Sequence, residues 1–198
     1  MGFSDAKDVS LDKLNKWNKD KRFARAYKDD EGDPVLEMDV DLDFAGIPVS
    51  GTVDLQNWSA SRAGQLVRID VKAAGGFNLL TSRVVTLNAQ GQYSFTLPSN
   101  LAAGNYDFYA KASHWLTRKR ANVSVPAGGS TCNNFSLING DVDGDNEVTL
   151  ADFGLLSDSF GLVLGDSGYN ANADLDGDSE VALADFGILS ASFGEVGD

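Results

Sequence analysis

Residues 141–161 read DVDGDNEVTLADFGLLSDSFG, and residues 174–194 read DLDGDSEVALADFGILSASFG. The two stretches are identical at 16 of 21 positions and begin 33 residues apart. Self-similarity of this kind at a fixed spacing marks an internal duplication. The last part of the chain is therefore predicted to consist of two copies of one small structural unit.

Each copy spaces its carboxylates as a calcium-binding loop does. A 12-residue loop of this type supplies oxygen ligands from positions 1, 3, 5, 7 and 12, and position 7 contributes its backbone carbonyl. A ligand set of oxygens without His or Cys favours a hard cation, calcium rather than zinc. We predict two calcium ions, with ligands from Asp141, Asp143, Asp145, Glu147 and Asp152 in the first loop and from Asp174, Asp176, Asp178, Glu180 and Asp185 in the second.

Position 6 of each loop departs from the usual pattern. The sharp turn there favours glycine, but the two copies have Asn146 and Ser179. Asn tolerates the left-handed backbone region better than Ser does. The second loop is therefore expected to bind calcium more weakly than the first.

Charge supports the same interpretation. Residues 139–198 carry 14 acidic residues and no Lys or Arg, within a chain of net charge −13. Without internal bases, these carboxylates need an external cation to relieve their mutual repulsion. The acidity also argues against a nucleic-acid partner, because phosphate binding requires a basic face.

A short helix is predicted after each loop. Leu150, Phe153, Leu156 and Phe160 recur at helical spacing, and Leu183, Phe186, Leu189 and Phe193 repeat the pattern. Helices this short are marginal in isolation. They are expected to pack antiparallel, with metal binding contributing to folding.

Residues 139–198 resemble the dockerin family, in which two loop–helix segments with Asp at position 12 form a calcium-binding module. The resemblance implies a protein partner, a cohesin-like domain or a neighbouring subunit. In many dockerins Ser-Thr at positions 10 and 11 contributes to recognition, whereas Leu150-Ala151 and Leu183-Ala184 stand here. We interpret Leu150 and Leu183 as core residues, and take the partner-binding candidates to be Ser157, Asp158, Ser190 and Ala191.

Residues 46–136 are predicted to form a β-sandwich. Short alternating runs at 49–55, 66–71 and 106–110 are separated by Gly, Asn and Pro. The stretch from Gly91 to Tyr106 resembles the carboxypeptidase-regulatory or Cna-B type of sandwich, which implies a stalk or spacer. Trp58, Tyr93 and Trp115 are candidates for a sugar-binding platform, but aromatic packing is the favoured interpretation. The single histidine, His114, is expected to be packed rather than catalytic, and no enzyme activity is predicted.

Residues 1–45 form a third segment. Leu11, Leu14 and Trp17 mark one face of a short helix, and strands are predicted at 23–27 and 35–44. The second strand alternates apolar and acidic residues, which indicates a solvated acidic face paired with Arg25 or, alternatively, a further cation site. The run from Leu14 to Leu42 resembles part of the YbjN-like family, whose fold is similar to type III secretion chaperones. Cys132 is the only cysteine, so no intrachain disulfide is expected.

The fold expected is therefore multidomain: a partial α+β segment at 1–45, a β-sandwich at 46–136, and a small all-α pair of calcium loop–helix repeats at 137–198. The function expected is calcium-dependent docking. A structural subunit of an extracellular assembly or filament and a carbohydrate-binding accessory protein remain alternatives. No membrane span and no signal-peptide-type stretch is visible. The dockerin resemblance implies an extracellular or cell-surface location, whereas a YbjN-like segment implies the cytoplasm.

Overall fold

The computed structural model describes residues 46–131 and 133–198 throughout, and the backbone of two further strands at 25–28 and 34–37. Met1–Phe44 and Ala45–Asp198 form two compact units. The second unit contains both the sandwich region and the two repeats. All residues predicted to bind metal or partner therefore belong to that unit.

The first unit contains an antiparallel hairpin of β1 (Arg25–Lys28) and β2 (Pro34–Glu37). The two strands fall within the regions where the sequence predicts strands, apart from one terminal residue of each. Arg25 lies opposite Glu37 in the register, in agreement with its predicted pairing with the acidic strand. The predicted helix of the first segment and Cys132 lie outside the described residues.

Seven strands of the second unit form two sheets, which confirms the prediction of a β-sandwich. The smaller sheet has the order β6-β3-β9, in which β3 pairs antiparallel with β6 and parallel with β9. The larger sheet has the order β5-β4-β7-β8 and is antiparallel throughout. The strands are β3 (Pro48–Leu55), β4 (Leu66–Ala73), β5 (Leu79–Thr86), β6 (Gln92–Thr96), β7 (Gly104–Ala112), β8 (Arg118–Val125) and β9 (Phe135–Leu137).

Alternating side chains build the core between the sheets. In β4, Val67, Ile69 and Val71 are buried, because successive side chains of a strand point to opposite faces. Strands of the opposite sheet contribute in the same way, so that Val53 and Leu137 lie in the same apolar cluster. The predicted strands at 49–55, 66–71 and 106–110 therefore have the periodicity that the sandwich uses.

A bulge in β8 interrupts its pairing with β7, because Ala121 and Asn122 lie opposite Asp107 alone. The register between β7 and β8 shifts between Tyr106 and Phe108, at the buried residue Asp107. The carboxylate of Asp107 accepts hydrogen bonds from the Asn122 amide at 2.7 Å and the Gly75 amide at 3.2 Å, and pairs with Lys119 Nζ at 2.8 Å. An acidic side chain thus replaces the strand hydrogen bonds that the bulge removes.

Two helices complete the second unit, α1 (Leu150–Asp158) and α2 (Leu183–Ser192). Each follows one acidic loop, as predicted. A second apolar cluster lies beneath the helices and loops, and one of its members, Leu116, comes from the connection between β7 and β8. The cluster consists of Leu116, Val142, Val148, Leu156, Ala173, Leu175, Val181 and Leu189. The sandwich therefore supplies part of the core of the duplicated region.

Candidate functional site

Carboxylates converge in both loops. In the first loop, carboxylate oxygens of Asp141, Asp143 and Asp145 all lie within 4.8 Å of one another. In the second loop, the same holds for Asp174, Asp176 and Asp185. Of the predicted ligands, Asp152 and Asp178 lie in these loops but outside the two groups. The side chains of Glu147 and Glu180 are exposed, as expected of residues that would contribute only a backbone carbonyl.

Position 6 is left-handed in both loops. Asn146 has a φ of 76° and Ser179 a φ of 77°, so the turn has the shape for which glycine is normally used. Each residue also donates its amide to the position 1 carboxylate: Asn146 N lies 3.2 Å from Asp141 Oδ2, and Ser179 N lies 3.0 Å from Asp174 Oδ2. The position 6 amide therefore orients the first carboxylate of its own loop.

The position 12 carboxylates join each loop to its helix. Asp152 accepts hydrogen bonds from the Thr149 amide at 2.7 Å and from the Asp143 amide at 3.1 Å. In the second repeat, Asp185 accepts from Ala182 N at 2.7 Å and from Leu175 N at 2.6 Å. One oxygen thus caps the helix N-terminus while the other closes the loop, which the shorter side chain of Asp suits.

Burial of these carboxylates leaves a charge to be neutralised. Asp141, Asp152, Asp174 and Asp185 are all buried. Asp141 Oδ1 has no hydrogen-bond partner among the described residues, although buried polar atoms are normally paired. A buried carboxylate oxygen of this kind is suited to accept a cation.

Neighbouring carboxylates also disturb each other's titration. Burial raises the pKa of Asp176, and the negative charges of Asp185, Asp178 and Asp174 add to this effect. A hydrogen bond from the Asp145 amide lowers the pKa of Asp143, but burial and the charge of Asp152 outweigh it, so that the pKa is raised. Crowded anions of this kind favour a bound cation.

The two repeats interlock through their loops. Val148 of the first loop exchanges backbone hydrogen bonds with the chain after α2, from Val148 N to Glu195 O at 2.9 Å and from Gly194 N to Val148 O at 2.8 Å. Val181 of the second loop does the same with the chain after α1, through Leu162 O at 3.0 Å and Gly161 N at 2.8 Å. Each loop therefore depends on the other repeat, and the arrangement has approximate two-fold symmetry.

The helices expose much of their apolar surface, which corrects the predicted core. Leu150 is 73% exposed and Leu183 is 75% exposed, so the interpretation of both as core residues was wrong. Of the eight apolar residues predicted for the helix cores, Leu156 and Leu189 are buried, whereas Leu150, Phe153, Phe160, Leu183, Phe186 and Phe193 are exposed.

The position 12 Asp explains this orientation. A helix advances by about 100° per residue, so Leu150 lies about 200° from Asp152 while Leu156 lies about 40° from it. Because Asp152 is turned inward to the loop, Leu156 is buried and Leu150 faces outward. The same rotation applies to Asp185, Leu189 and Leu183.

The helices form one continuous exposed surface, which we call the helix face. Phe153 and Phe186 contact each other across the two helices. The predicted partner-binding residues are exposed beside them. A Cβ atom added at Gly154 or Gly187 would meet nothing within 4 Å. The helix face consists of Leu150, Phe153, Gly154, Ser157 and Asp158 on α1 and of Leu183, Phe186, Gly187, Ser190 and Ala191 on α2.

Three residues of the sandwich region that were not predicted to have a role at the acidic loops contact them. Ser59 donates both its amide and its hydroxyl to the backbone oxygen of Asp176, each at 2.8 Å. The ring of Trp58 lies so close to Gly177 that an added Cβ would approach it to 2.6 Å. Lys111 Nζ contacts the carboxylate of Asp141. These residues are 30 or more positions from their partners in sequence, so no local pattern marks them.

The aromatic residues proposed as a sugar platform are largely packed. Trp115 and Tyr93 are buried, and Trp58 is half-buried against Trp115. His114 is buried and stacks on Trp115, with ring centroids 3.8 Å apart. Burial lowers the pKa of His114 to about 3, so its imidazole is neutral. The predicted packing of these residues agrees with the structure.

Two comparisons concern the fold. A chain of a type II cohesin–X–dockerin complex from Acetivibrio cellulolyticus, an N-terminal interface mutant, matches with a TM-score of 0.58 and 23% identity over 76% of this chain and 97% of that chain. A C-terminal interface mutant of the same kind of complex matches with a TM-score of 0.59 and 24% identity over the same shares. At this identity the likeness shows a shared fold.

The sequence comparisons concern the first segment. The YbjN family, described as a putative bacterial sensory transduction regulator, matches residues 1–51, in agreement with the resemblance noted for this region. A search of curated proteins found no match. Among the described residues, no helix is long and apolar enough to span a membrane.

Proposed function

We propose that this protein is a calcium-dependent docking protein of dockerin type. Each loop binds one calcium ion, and the helix face binds a protein partner. The observation that carries the proposal is the double role of Asp152 and Asp185, which close the acidic loops and cap the helices that present the helix face. Cation binding at the loop and orientation of the docking surface therefore depend on the same two side chains.

The residues present fit calcium. Both loops offer carboxylate and carbonyl oxygens alone, and calcium takes 6–8 oxygen ligands. Asp141 Oδ1 is buried without a hydrogen-bond partner in the described part of the chain, so a cation would supply its missing interaction. The ligands proposed remain those predicted, five from each loop. A bound ion would neutralise the clustered charge and stabilise the loops against mutual repulsion.

The helix face supports a protein as the partner. Exposed apolar patches rimmed by polar residues are typical of protein interaction sites. Leu150 and Leu183 occupy loop position 10, where the dockerin resemblance places recognition residues, and both are exposed. The solved structures that share this fold are described as cohesin–X–dockerin complexes. We therefore propose a cohesin-like domain as the partner, an extracellular or cell-surface location, and no enzymatic activity.

The sandwich takes part in this function as a support for the loops. Asn139, which follows β9, donates its side-chain amide to Gln56 O of the sandwich at 3.2 Å and to Leu175 O of the second loop at 2.6 Å. The Thr117 amide donates to Asn146 Oδ1 at 2.8 Å. Together with Ser59 and Trp58, these contacts connect both loops to the sandwich. The sandwich is thus proposed to hold the docking module in a defined orientation rather than to act as a detached spacer.

Binding of the full chain to a recombinant type II cohesin domain tests the proposal. We expect saturable binding in calcium and its loss in a chelator, because the helix face depends on the loops. Binding that is equal in both conditions would contradict the calcium dependence. Calcium-dependent self-association without cohesin binding, measured by light scattering, would instead favour the structural subunit of an assembly.

A second candidate function rests on a groove in the sandwich. The groove has a volume of about 640 Å³ and is lined by hydroxyl and amide side chains, with no charged residue. Such a lining suits a neutral polyhydroxylated ligand, and the second candidate function is therefore that of a carbohydrate-binding accessory protein. A glycan array probed with the full chain and with Gln92→Ala checks it: a signal that the variant loses would favour this function. The lining includes Ser50, Thr52, Thr86, Asn88, Gln92, Ser94 and Asn134.

A further inference from the structure

The two loops differ in what holds their first carboxylate. In the second loop, Asp174 Oδ2 accepts a hydrogen bond from the hydroxyl of Tyr169 at 2.7 Å. In the first loop, Asp141 Oδ2 contacts the ammonium of Lys111. A neutral phenol and a cation therefore occupy equivalent places in two loops whose predicted ligands are the same residue types.

Lys111 is built into the sandwich. It belongs to β7, its side chain is 16% exposed, and Nζ also donates to the backbone oxygen of the buried Trp115 at 2.7 Å. The ammonium is thus held between a carbonyl of the sandwich and the carboxylate of the loop. Other lysines of the described sandwich lie elsewhere: Lys72 over the ring of Tyr109 and Lys119 against Asp107.

We propose that Lys111 is a resident counterion of the first loop, which makes this loop the weaker of the two calcium sites. This inference rests on the proposed binding of calcium to both loops. The ammonium neutralises one carboxylate of the first loop before any metal arrives, and it repels a divalent cation that binds to the same carboxylate. Calcium affinity depends on the charge of the ligand set, so the first loop is the weaker site although its ligands match those of the second.

The inference reverses the order expected from position 6. Ser179 at a left-handed φ strains the second loop, and this effect alone would make that loop the weaker one. Lys111 lowers the calcium affinity of the first loop instead, which would make the second loop the tighter site. A titration that follows the loops separately decides which effect prevails.

The position 6 amides provide separate reporters, because each donates to the first carboxylate of its own loop. We would titrate calcium into the ¹⁵N-labelled full chain and follow the Asn146 and Ser179 amides by NMR. In the wild type, the Ser179 amide should saturate at lower calcium than the Asn146 amide. Lys111→Met keeps most of the apolar stem without the charge, and it should tighten binding at the first loop roughly tenfold, within the range of changes next to metal ligands.

Two further variants keep the test decisive. Lys111→Gln removes the charge but retains a donor for the Trp115 carbonyl, so it covers the case in which Lys111→Met disturbs folding. Lys72→Met makes the same chemical change on the neighbouring strand and should leave both titrations unaltered. Wild-type loops of equal affinity, or a first loop unchanged in both Lys111 variants, would overturn the role of Lys111. No calcium response at either amide would overturn the calcium proposal itself.

Discussion

Phe153 and Phe186 meet edge to face across the two repeats, with ring centroids 5.8 Å apart and ring planes at 69°. Because these residues occupy the same position in α1 and α2, their contact joins two copies of one surface into a single patch. Both rings remain more than a third exposed. The helix face therefore combines an apolar centre with polar residues beside it, of which Ser157 and Ser190 are repeated while Asp158 of α1 corresponds to Ala191 of α2.

The first prediction concerns the exposed leucines of the helix face. Leu150→Asp combined with Leu183→Asp should abolish binding to a type II cohesin domain, because two charges would enter an apolar interface. Folding stability should change by about 0.5 kcal/mol or less, since both side chains are largely exposed. Leu164→Asp, at an exposed leucine outside the helices, is the matched control. Calorimetric titration measures the binding, and loss of binding in the control alone would contradict the assignment.

The second prediction concerns the symmetry of the helix face. Since the helix face has the same residues on both helices except for Asp158 against Ala191, a partner is expected to engage either helix, in two orientations related by about half a turn. Arg substitutions at Ser157 and Asp158 alone, or at Ser190 and Ala191 alone, should leave most of the binding intact. All four together should remove it. If one pair accounts for the whole loss, the duplication serves folding and calcium binding rather than dual recognition.

The third prediction concerns the number of metal ions. The full chain should bind two calcium ions, and Asp141→Ala and Asp174→Ala should each remove one, because each deletes the first ligand of one loop. Asp158→Ala removes an exposed carboxylate outside both loops and should leave the stoichiometry at two. Isothermal titration counts the ions. An uptake unaffected by either loop variant would falsify the assignment of ligands.

The fourth prediction concerns removal of calcium. A ligand at 100 times its dissociation constant stabilises the folded state by about 2.7 kcal/mol per site. Chelation should therefore reduce helix content and speed hydrogen exchange at the amides of Thr117 and Lys119, which donate to Asn146 and Asp198. The amide of Ile69, in the centre of the sandwich, should change least. Circular dichroism and exchange rates that do not respond to a chelator would contradict this coupling.

The fifth prediction concerns Asp107, which lies opposite the bulge in β8. Hydrogen bonds from Lys119 and then from the Asn122 amide hold the pKa of Asp107 below its ordinary value. Its contribution to stability is therefore fully present above the unfolded pKa of about 3.9 and is lost as the pH falls through the lowered native pKa. Asp107→Asn should cost about 1–3 kcal/mol at neutral pH, because it disrupts buried hydrogen bonds.

The difference between wild type and Asp107→Asn should narrow as the pH falls to about 3, since protonation removes the same charge from the wild type. Denaturant unfolding at neutral pH and at about pH 3 measures this difference in stability. The acidic loops are the same in both proteins, so their own titration cancels from the difference. Asp54→Asn, which removes the charge of an exposed carboxylate paired with the half-buried Arg62, is the control and should change stability little. A difference that is constant with pH would show that the charge of Asp107 contributes nothing.

Local pattern was sufficient for several features of the fold. Alternation of apolar residues predicted the strands, since the side-chain period of a strand is two wherever one face is buried. The duplicated acidic loops and the helices after them were predicted as well, because their spacing lies within a few residues of sequence. The left-handed turns at Asn146 and Ser179 follow from the same loop spacing.

The helix core was predicted less well for a physical reason. Apolar periodicity identifies a stripe on a helix, but not the direction in which the stripe points. Asp152 and Asp185 are polar and were therefore excluded from the core, yet they are the residues that turn inward to the loops. Their rotation leaves Leu150 and Leu183 exposed, on the surface proposed for docking.

Residue types and short-range spacing were enough to predict the clustered carboxylates of two matched loops, an acidic module without internal bases, and a repeated apolar helix. The difference between the two copies arises in the tertiary structure, which brings Lys111 to Asp141, whereas Tyr169 is only five residues from its partner Asp174. Lys111 lies 30 residues before its partner, on a strand of the sandwich. Only folding of the sandwich against the first loop places that charge beside the carboxylate.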